Sequence, residues 1–338
     1  MITDTTTPMQ PSTTASTTQS PRNDVIQWFR AIAIIAVIIA HTCPAGMWTV
    51  VVRPVVNICV PVFLFLSGYL TKVDGRDWGA FYKKRIVRVI IPYLIWTVIY
   101  TIDQGNLAKL PNNILMASSA SHMYYILVYI QFVLLTPALA ALAKSKYHYL
   151  GWFAAPVFLI FYKYIPLMGG YRITGYANMV CWNMCLGWFT FYYLGITLGN
   201  RIIEKQYSLR MLILLYIASI FLQMGETHAW LHAGVSNPGG VLKISGLLTG
   251  TLFSLIVYTV LQQGRFEVKS RFMLLLGEYS FGIYLCHVLF RHLLKLTPFY
   301  MTVPFIVNAV LVLALSLGLC YLGNKLLGER ISRWLGFK

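Results

Sequence analysis

A chain of 338 residues that is 58% hydrophobic and only 11% charged is neither a soluble globular domain nor a disordered one. Its mean hydropathy of +0.66 places it among polytopic, all-α membrane proteins. The formal net charge of +17 could signal an anionic partner such as nucleic acid, but the distribution of the charges along the chain excludes that reading below.

Residues 1–24 are rich in Thr, Ser and Pro without an apolar run, so a disordered tail is expected there. The tail is too long and polar to be a signal peptide. Ten apolar segments of membrane-spanning length follow, near 25–44, 49–71, 86–103, 123–143, 149–166, 179–199, 209–225, 241–262, 273–294 and 301–324. The spans form one transmembrane unit over 25–325, and 326–338 reads as a basic C-terminal segment. Many of the 22 tyrosines and 9 tryptophans fall at span ends, as interfacial belts require. The six cysteines include no CxxC pair, and Cys181 and Cys185, one turn apart, read as packing residues; the cysteines are silent on disulfides, and no metal site or bound cofactor is expected.

With alternate loops assigned to opposite sides, 19 of the 27 Lys and Arg residues fall on one side. The other side holds seven, Arg53, Lys109, Lys163, Arg172, Lys243, Arg291 and Lys295, and Arg30 lies within a span. The positive-inside rule then puts both termini in the cytoplasm of a plasma-membrane protein. The basic excess is mainly topological, so nucleic acid is not a partner; oligomeric state leaves no mark in the sequence.

The first span carries the two most informative residues, Arg30 and His41. A charged side chain within a span costs roughly 2.5–3.5 kcal/mol on insertion scales and rarely persists without a use. Eleven residues separate the pair. That is about three turns, so both lie on one helix face roughly 16 Å apart along the axis. The densest charge cluster, Lys83-Lys84-Arg85-Ile86-Val87-Arg88, enters the third span. Arg85 and Arg88 share a face there, as do Lys84 and Arg88. Guanidinium forks at this position can grip the phosphates of a nucleotide-bearing cosubstrate such as coenzyme A, or those of lipids.

Further polar lines occur later. His122, Tyr125 and Tyr129 recur at i, i+3 and i+7 where the fourth span begins, an aromatic face able to stack on a sugar and equally an ordinary interfacial belt. Ser280, Tyr284, His287 and Arg291 form one polar line along the ninth span, which must face the bundle interior or a wet cavity. Glu278 is expected to pair with a loop arginine, and His148, His228, His232 and His292 lie in or near loops, where no role is expected.

These pieces, in order, resemble the type 3 acyltransferase family of integral membrane proteins. The resemblance rests on Arg30 followed by His41, on Phe63-Leu64-Phe65-Leu66-Ser67-Gly68-Tyr69-Leu70, and on Arg85-x-x-Arg88. It continues in His122-Met123-Tyr124-Tyr125 with Thr136-Pro137, where the family has His-Leu-Trp-Phe, and in Ser280-Phe281-Gly282-Ile283-Tyr284-Leu285-Cys286-His287. It covers about 25 to 325. It implies transfer of an acyl group, usually acetyl, from cytoplasmic acyl-coenzyme A as cosubstrate to a hydroxyl of a glycan or lipid-linked saccharide at the outer face. It carries the role of catalytic base to His41, with Arg30 as the second catalytic candidate, holding the donor or stabilising the thioester oxyanion. Lys84, Arg85 and Arg88 are then the donor grip, and His122, Tyr125 and His287 line the acceptor side. Whether His41 takes only a proton or also carries the acyl group stays open. No hydrolase-like domain is seen in the sequence, so the spans are expected to perform the whole reaction.

The other classes fit less well. A transporter or flippase would use the same polar lines as a path, but no inverted repeat and no matched pair of Gly/Pro-broken spans is found. The membrane-bound O-acyltransferases place their histidine late and have nothing like Arg85-x-x-Arg88. None of the seven histidines has an Asp five residues on, as the box of soluble acyltransferases requires. A purely structural role leaves the intramembrane polar groups unexplained.

Overall fold

The computed structural model describes residues 21–75, 77–235, 237–264 and 266–337. The expected tail over residues 1–20, and Arg76, Arg265 and Lys338 of the basic count, lie outside the described residues; residues 21–24 already belong to the first helix, Pro21–Thr42. Among the described residues every regular element is helical, and nine helices are long and apolar enough to cross a membrane.

The first helix is the central post. Asp24 sits in its first turn, where a carboxylate complements the helix dipole. Ala31, Ala33, Ile34 and Ile38 are almost wholly buried. Its most extensive neighbour is the Arg271–Lys295 helix, followed by the Cys59–Tyr69 helix. The chain turns away after Thr42 through Pro44 and a left-handed Gly46. Arg53 Nη1 donates to the Ala40 carbonyl at 2.8 Å, satisfying one of the acceptors that the last turn leaves unpaired.

The third expected span starts earlier than its apolar run. The helix is Trp78–Asp103, capped by Asp77, whose carboxylate accepts from the Gly79 and Ala80 amides at 2.9 and 3.2 Å. The whole Lys83–Arg88 cluster is therefore helical. Two expected spans are interrupted. The second breaks at Asn57 between the Met47–Val56 and Cys59–Tyr69 helices, and the Asn57 amide donates to the Gly239 carbonyl at 3.1 Å.

The sixth does not form one helix. It splits into Gly175–Asn183 and Phe189–Gly199, with an extended Met184 and a single 3-10 turn between them. Gln131 of the Tyr124–Lys144 helix bridges the break, donating to the Asn183 carbonyl at 2.7 Å and accepting from the Cys185 amide at 3.1 Å. Backbone groups freed inside a bundle have to be satisfied by a neighbour, and this side chain does so.

Residues after 325 do not trail away: the Gly328–Trp334 helix folds back, the Trp96 indole donates to the Leu335 carbonyl at 3.0 Å, and Phe337 is buried against Gly282 and Gly323.

The Phe189–Gly199 helix crosses the Cys59–Tyr69 helix at backbone contact. A Cβ on Gly195 would stand 2.2 Å from the Phe65 carbonyl oxygen, and one on Gly199 would stand 2.2 Å from that of Tyr69. Gly195-x-x-x-Gly199 is thus a small-residue seam between helices. Gly195→Ala should lower the thermal midpoint of the detergent-purified protein, since overpacking against backbone costs about 1–3 kcal/mol. Gly225→Ala, at an open position on the Leu209–His232 helix, should leave the midpoint unchanged or raise it. Equal midpoints for Gly195→Ala and the parent protein would refute the seam.

Candidate active site

Helices placed in this way enclose two cavities at different depths along the first helix, one at its middle and one at its C-terminal end. The first, about 540 Å³, is lined by Arg30, by Lys84, Arg85 and Arg88 of the Trp78–Asp103 helix, and by Ser280 of the Arg271–Lys295 helix. No carboxylate lines it. Arg85 donates to the Tyr129 hydroxyl at 3.2 Å and to the Thr71 hydroxyl at 3.4 Å, while Arg30 donates to Gln27 Oε1 at 3.3 Å. Neutral partners aim these guanidinium groups without neutralising them. Four cations in one partly enclosed space suit a polyanion such as a chain of phosphates.

The second cavity, about 360 Å³, lies at the C-terminal end of the first helix and is lined by His41, His122, Asn57, Arg53, Trp182 and Arg291 among others. Here three imidazoles from three separate segments meet, but His287, expected to line the acceptor side, packs behind His41 and His122 and does not line the cavity itself. Ring centroids are 5.1 Å apart for His41 and His287, 4.8 Å for His122 and His287, and 6.2 Å for His41 and His122. His122 and His287 are buried, whereas His41 is partly exposed. Nδ1 of His287 lies 2.7 Å from the Tyr284 carbonyl. A carbonyl only accepts, so Nδ1 carries the proton and Nε2, which has no hydrogen-bond partner, is left as the basic nitrogen.

Tyr100 supports this end of the site: its hydroxyl donates to the Leu285 carbonyl at 2.7 Å and accepts from the Leu289 amide at 3.2 Å. Those are the two backbone groups that a helix pairs with each other, so the Tyr100 hydroxyl braces the continuous Arg271–Lys295 helix on both sides of His287. Among the described residues, no three His, Cys, Asp or Glu side chains are placed to hold a metal ion, the three imidazoles included. Cys43 lies at the rim of the cavity between two spans. Burial pushes its thiol pKa up, opposed by Arg53, so it stands there as a thiol rather than a reactive thiolate.

Tyr125 and Tyr284 line both cavities and stand between them with ring centroids 5.5 Å apart. The Tyr284 hydroxyl donates to the His122 carbonyl, tying the partition to the histidine cluster.

Several sequence expectations need adjustment. Arg30 does not share a cavity with His41 but joins Lys84, Arg85 and Arg88. Tyr125 faces both cavities rather than one side alone, and Tyr129 belongs with Arg85, away from the histidines. His228 and His232 lie in the last turns of the Leu209–His232 helix, next to the loop that follows it, with ring centroids 4.4 Å apart. His292 pairs with Asp103 at 2.8 Å. Tyr100, Trp182 and the cavity role of Arg53 escaped the sequence reading, because each reaches the site across a helix boundary that carries no local signature.

Neither the curated proteins nor the solved structures yield a match to the chain. A protein-family model described as an acyltransferase domain matches residues 23–325, about nine-tenths of the chain. The nine apolar helices agree with it, and the chain is a multi-pass membrane protein with an acyltransferase domain. The order Arg30, His41, Arg85, Arg88, His122 and His287 falls wholly within the matched residues, and the chain belongs to the type 3 acyltransferase family.

Proposed function

We propose that the protein is a plasma-membrane O-acyltransferase that moves an acyl group, acetyl in the first instance, from cytoplasmic acyl-coenzyme A to a hydroxyl of a cell-surface glycan or lipid-linked saccharide. The observation that carries this reading is the pair of cavities, one lined by four cations and the other by imidazoles, meeting at Tyr125 and Tyr284. The phosphates of the donor are held by Lys84, Arg85, Arg88 and Arg30, and its slender pantetheine arm carries the thioester toward the tyrosine pair. Arg30 belongs to donor binding in this scheme, since one helix separates it from His41 by about 16 Å.

In the histidine cavity His41 removes the proton of the acceptor hydroxyl as its oxygen attacks the thioester carbonyl. A carbon–oxygen bond forms, the carbon–sulfur bond breaks, and the departing thiolate takes up a proton to leave as free coenzyme A. An alcohol attacks a thioester slowly unless its proton is removed, which is why a base is needed at this end. His287 and His122 pack against His41 and hold its ring; they are positioning residues. Basic residues cluster where the cation-lined cavity lies, which supports a cytoplasmic location for that end and for both termini.

His41→Ala should slow transfer of radiolabelled acetyl by about 10²- to 10⁴-fold while leaving coenzyme A binding intact, a deficit that extra donor does not rescue. Arg85→Ala should raise KM for acetyl-coenzyme A about tenfold or more, since charge-assisted hydrogen bonds are worth roughly 1.5–3 kcal/mol, and should regain rate at high donor. Wild-type transfer by His41→Ala, or normal donor binding with lost turnover in Arg85→Ala, would move the chemistry elsewhere.

Orientation has its own test. In a background with the native cysteines replaced, an impermeant thiol reagent added to intact cells should label a cysteine placed at Lys109 and miss one placed at Lys83. Both positions are exposed in the structure. The reverse pattern would exchange the donor and acceptor sides.

A further inference from the structure

The histidine end of the bundle is poor in acid. Of the nine Asp and Glu residues among the described residues, only Asp103 and Glu226 lie at that end, against the seven basic residues assigned there. Both acids are already engaged. Asp103 accepts from His292 at 2.8 Å, and Glu226 accepts from the Tyr164 and Ser245 hydroxyls and from the Ser245 amide. Neither lines the histidine cavity.

Two arginines, Arg53 and Arg291, do line it. Arg53 is anchored through Nη1 to the Ala40 carbonyl. Arg291 forms no ion pair among the described residues, and its Nε is buried without a hydrogen-bond partner. Lys243, another cation at this end, is buried outside the cavity and donates to Thr227 and to the Pro238 carbonyl. Guanidinium groups drawn partly out of water without a counter-charge are costly, and charges in such places are normally paired. The missing partner is an anion. Topology does not explain the pair either, since the positive-inside rule asks for few basic residues at this end, not for two inside a cavity.

On the reading given above, the occupant of this cavity is the acyl acceptor. We infer that the acceptor is an anionic saccharide, carrying a carboxylate or phosphate on the acylated sugar or on its neighbour, and that Arg53 and Arg291 recognise that group and so determine specificity. A planar guanidinium matches the two oxygens of either anion with parallel hydrogen bonds. Asn57, Ser121 and Asn237, which line the same cavity, offer neutral hydrogen bonds for sugar hydroxyls.

The test uses the full-length protein in discs of phosphatidylcholine alone, with radiolabelled acetyl-coenzyme A and membrane saccharide from cells lacking the gene. Methyl glucuronide and glucose 1-phosphate should compete with transfer, the stronger of the two reporting carboxylate or phosphate, whereas methyl glucoside should not. Arg291→Gln should raise the acceptor KM about tenfold or more, erase the preference for the charged competitor, and leave the KM for acetyl-coenzyme A unchanged. Arg291→Lys should recover part of the loss, which a merely structural role would not produce. Mass analysis of the labelled product made by the unaltered protein should find an anionic group on or beside the acetylated sugar. A neutral labelled saccharide overturns the inference while leaving the acyltransferase reading intact, as does an unchanged acceptor KM in Arg291→Gln. Relief of both competitions by added phosphatidylglycerol would assign the arginine pair to a lipid headgroup and also overturn it. Donor binding with no saccharide labelled overturns the underlying reading, and the inference falls with it.

Discussion

The register between two parallel helices decides where Arg30, His41, Ser280, His287 and Arg291 fall. The first helix and the Arg271–Lys295 helix both run from the cation-lined end to the histidine end, and they touch backbone to backbone where a Cβ on Gly277 would meet the Gln27 carbonyl at 2.1 Å. From that contact equal numbers of residues rise together on the two helices. Arg30 and Ser280 lie one turn on and line the same cavity. His41 and Arg291 lie four turns on and line the other, with His287 one turn below Arg291. A larger residue at position 277 would separate the helices and shear the two polar lines apart. Small residues in membrane interfaces permit such close approach, and here the approach also sets the chemistry's register.

Separating the two cavities resolves an electrostatic problem. Both contain guanidinium groups and neither contains a carboxylate, so each cavity is unfavourable when filled only by protein. An internal ion pair would have stabilised the fold but blocked the binding of an anion. Instead Arg85 is held by Tyr129 and Thr71, Arg30 by Gln27, and Arg53 by a helix-terminal carbonyl. These neutral acceptors orient the cations and leave their charge available, which is the arrangement expected of sites built for anionic ligands and not for stability.

Much of this was legible in the sequence, for a definite reason. Arg30 with His41, Arg85 with Arg88, and Ser280 through Arg291 each lie on one continuous helix, so a period of 3.6 residues displays their common face. What the sequence did not display depends on contacts between elements. His122 sits in a turn ahead of its helix, so nothing in its spacing puts it 4.8 Å from His287. The sixth span reads as one apolar run because its break is stabilised from outside, by Gln131, and leaves no proline within it. Tyr125 looks like a residue of one side because periodicity gives a direction around the helix, not the depth at which two cavities meet. The start of the third span was misplaced for a related reason. Hydropathy registers the hydrocarbon core, whereas the helix begins at the Asp77 cap and carries the basic cluster beyond that core.

The interruptions are where the fold and the chemistry connect. An unbroken helix presents only side chains to a cavity, because its amides and carbonyls are paired internally. The second span breaks at Asn57 and the sixth at Met184, and both breaks adjoin the histidine cavity, through Asn57 and Cys59 in one case and Trp182 in the other. The cation-lined cavity, by contrast, is walled by continuous helix on the sides that carry Arg30, Arg85 and Ser280. A phosphate chain needs long, charged side chains on rigid supports, which continuous helices provide. A saccharide needs short polar groups at varied angles, and bent or interrupted backbone supplies room for them. Each end of the bundle therefore has the backbone regularity that its proposed ligand requires.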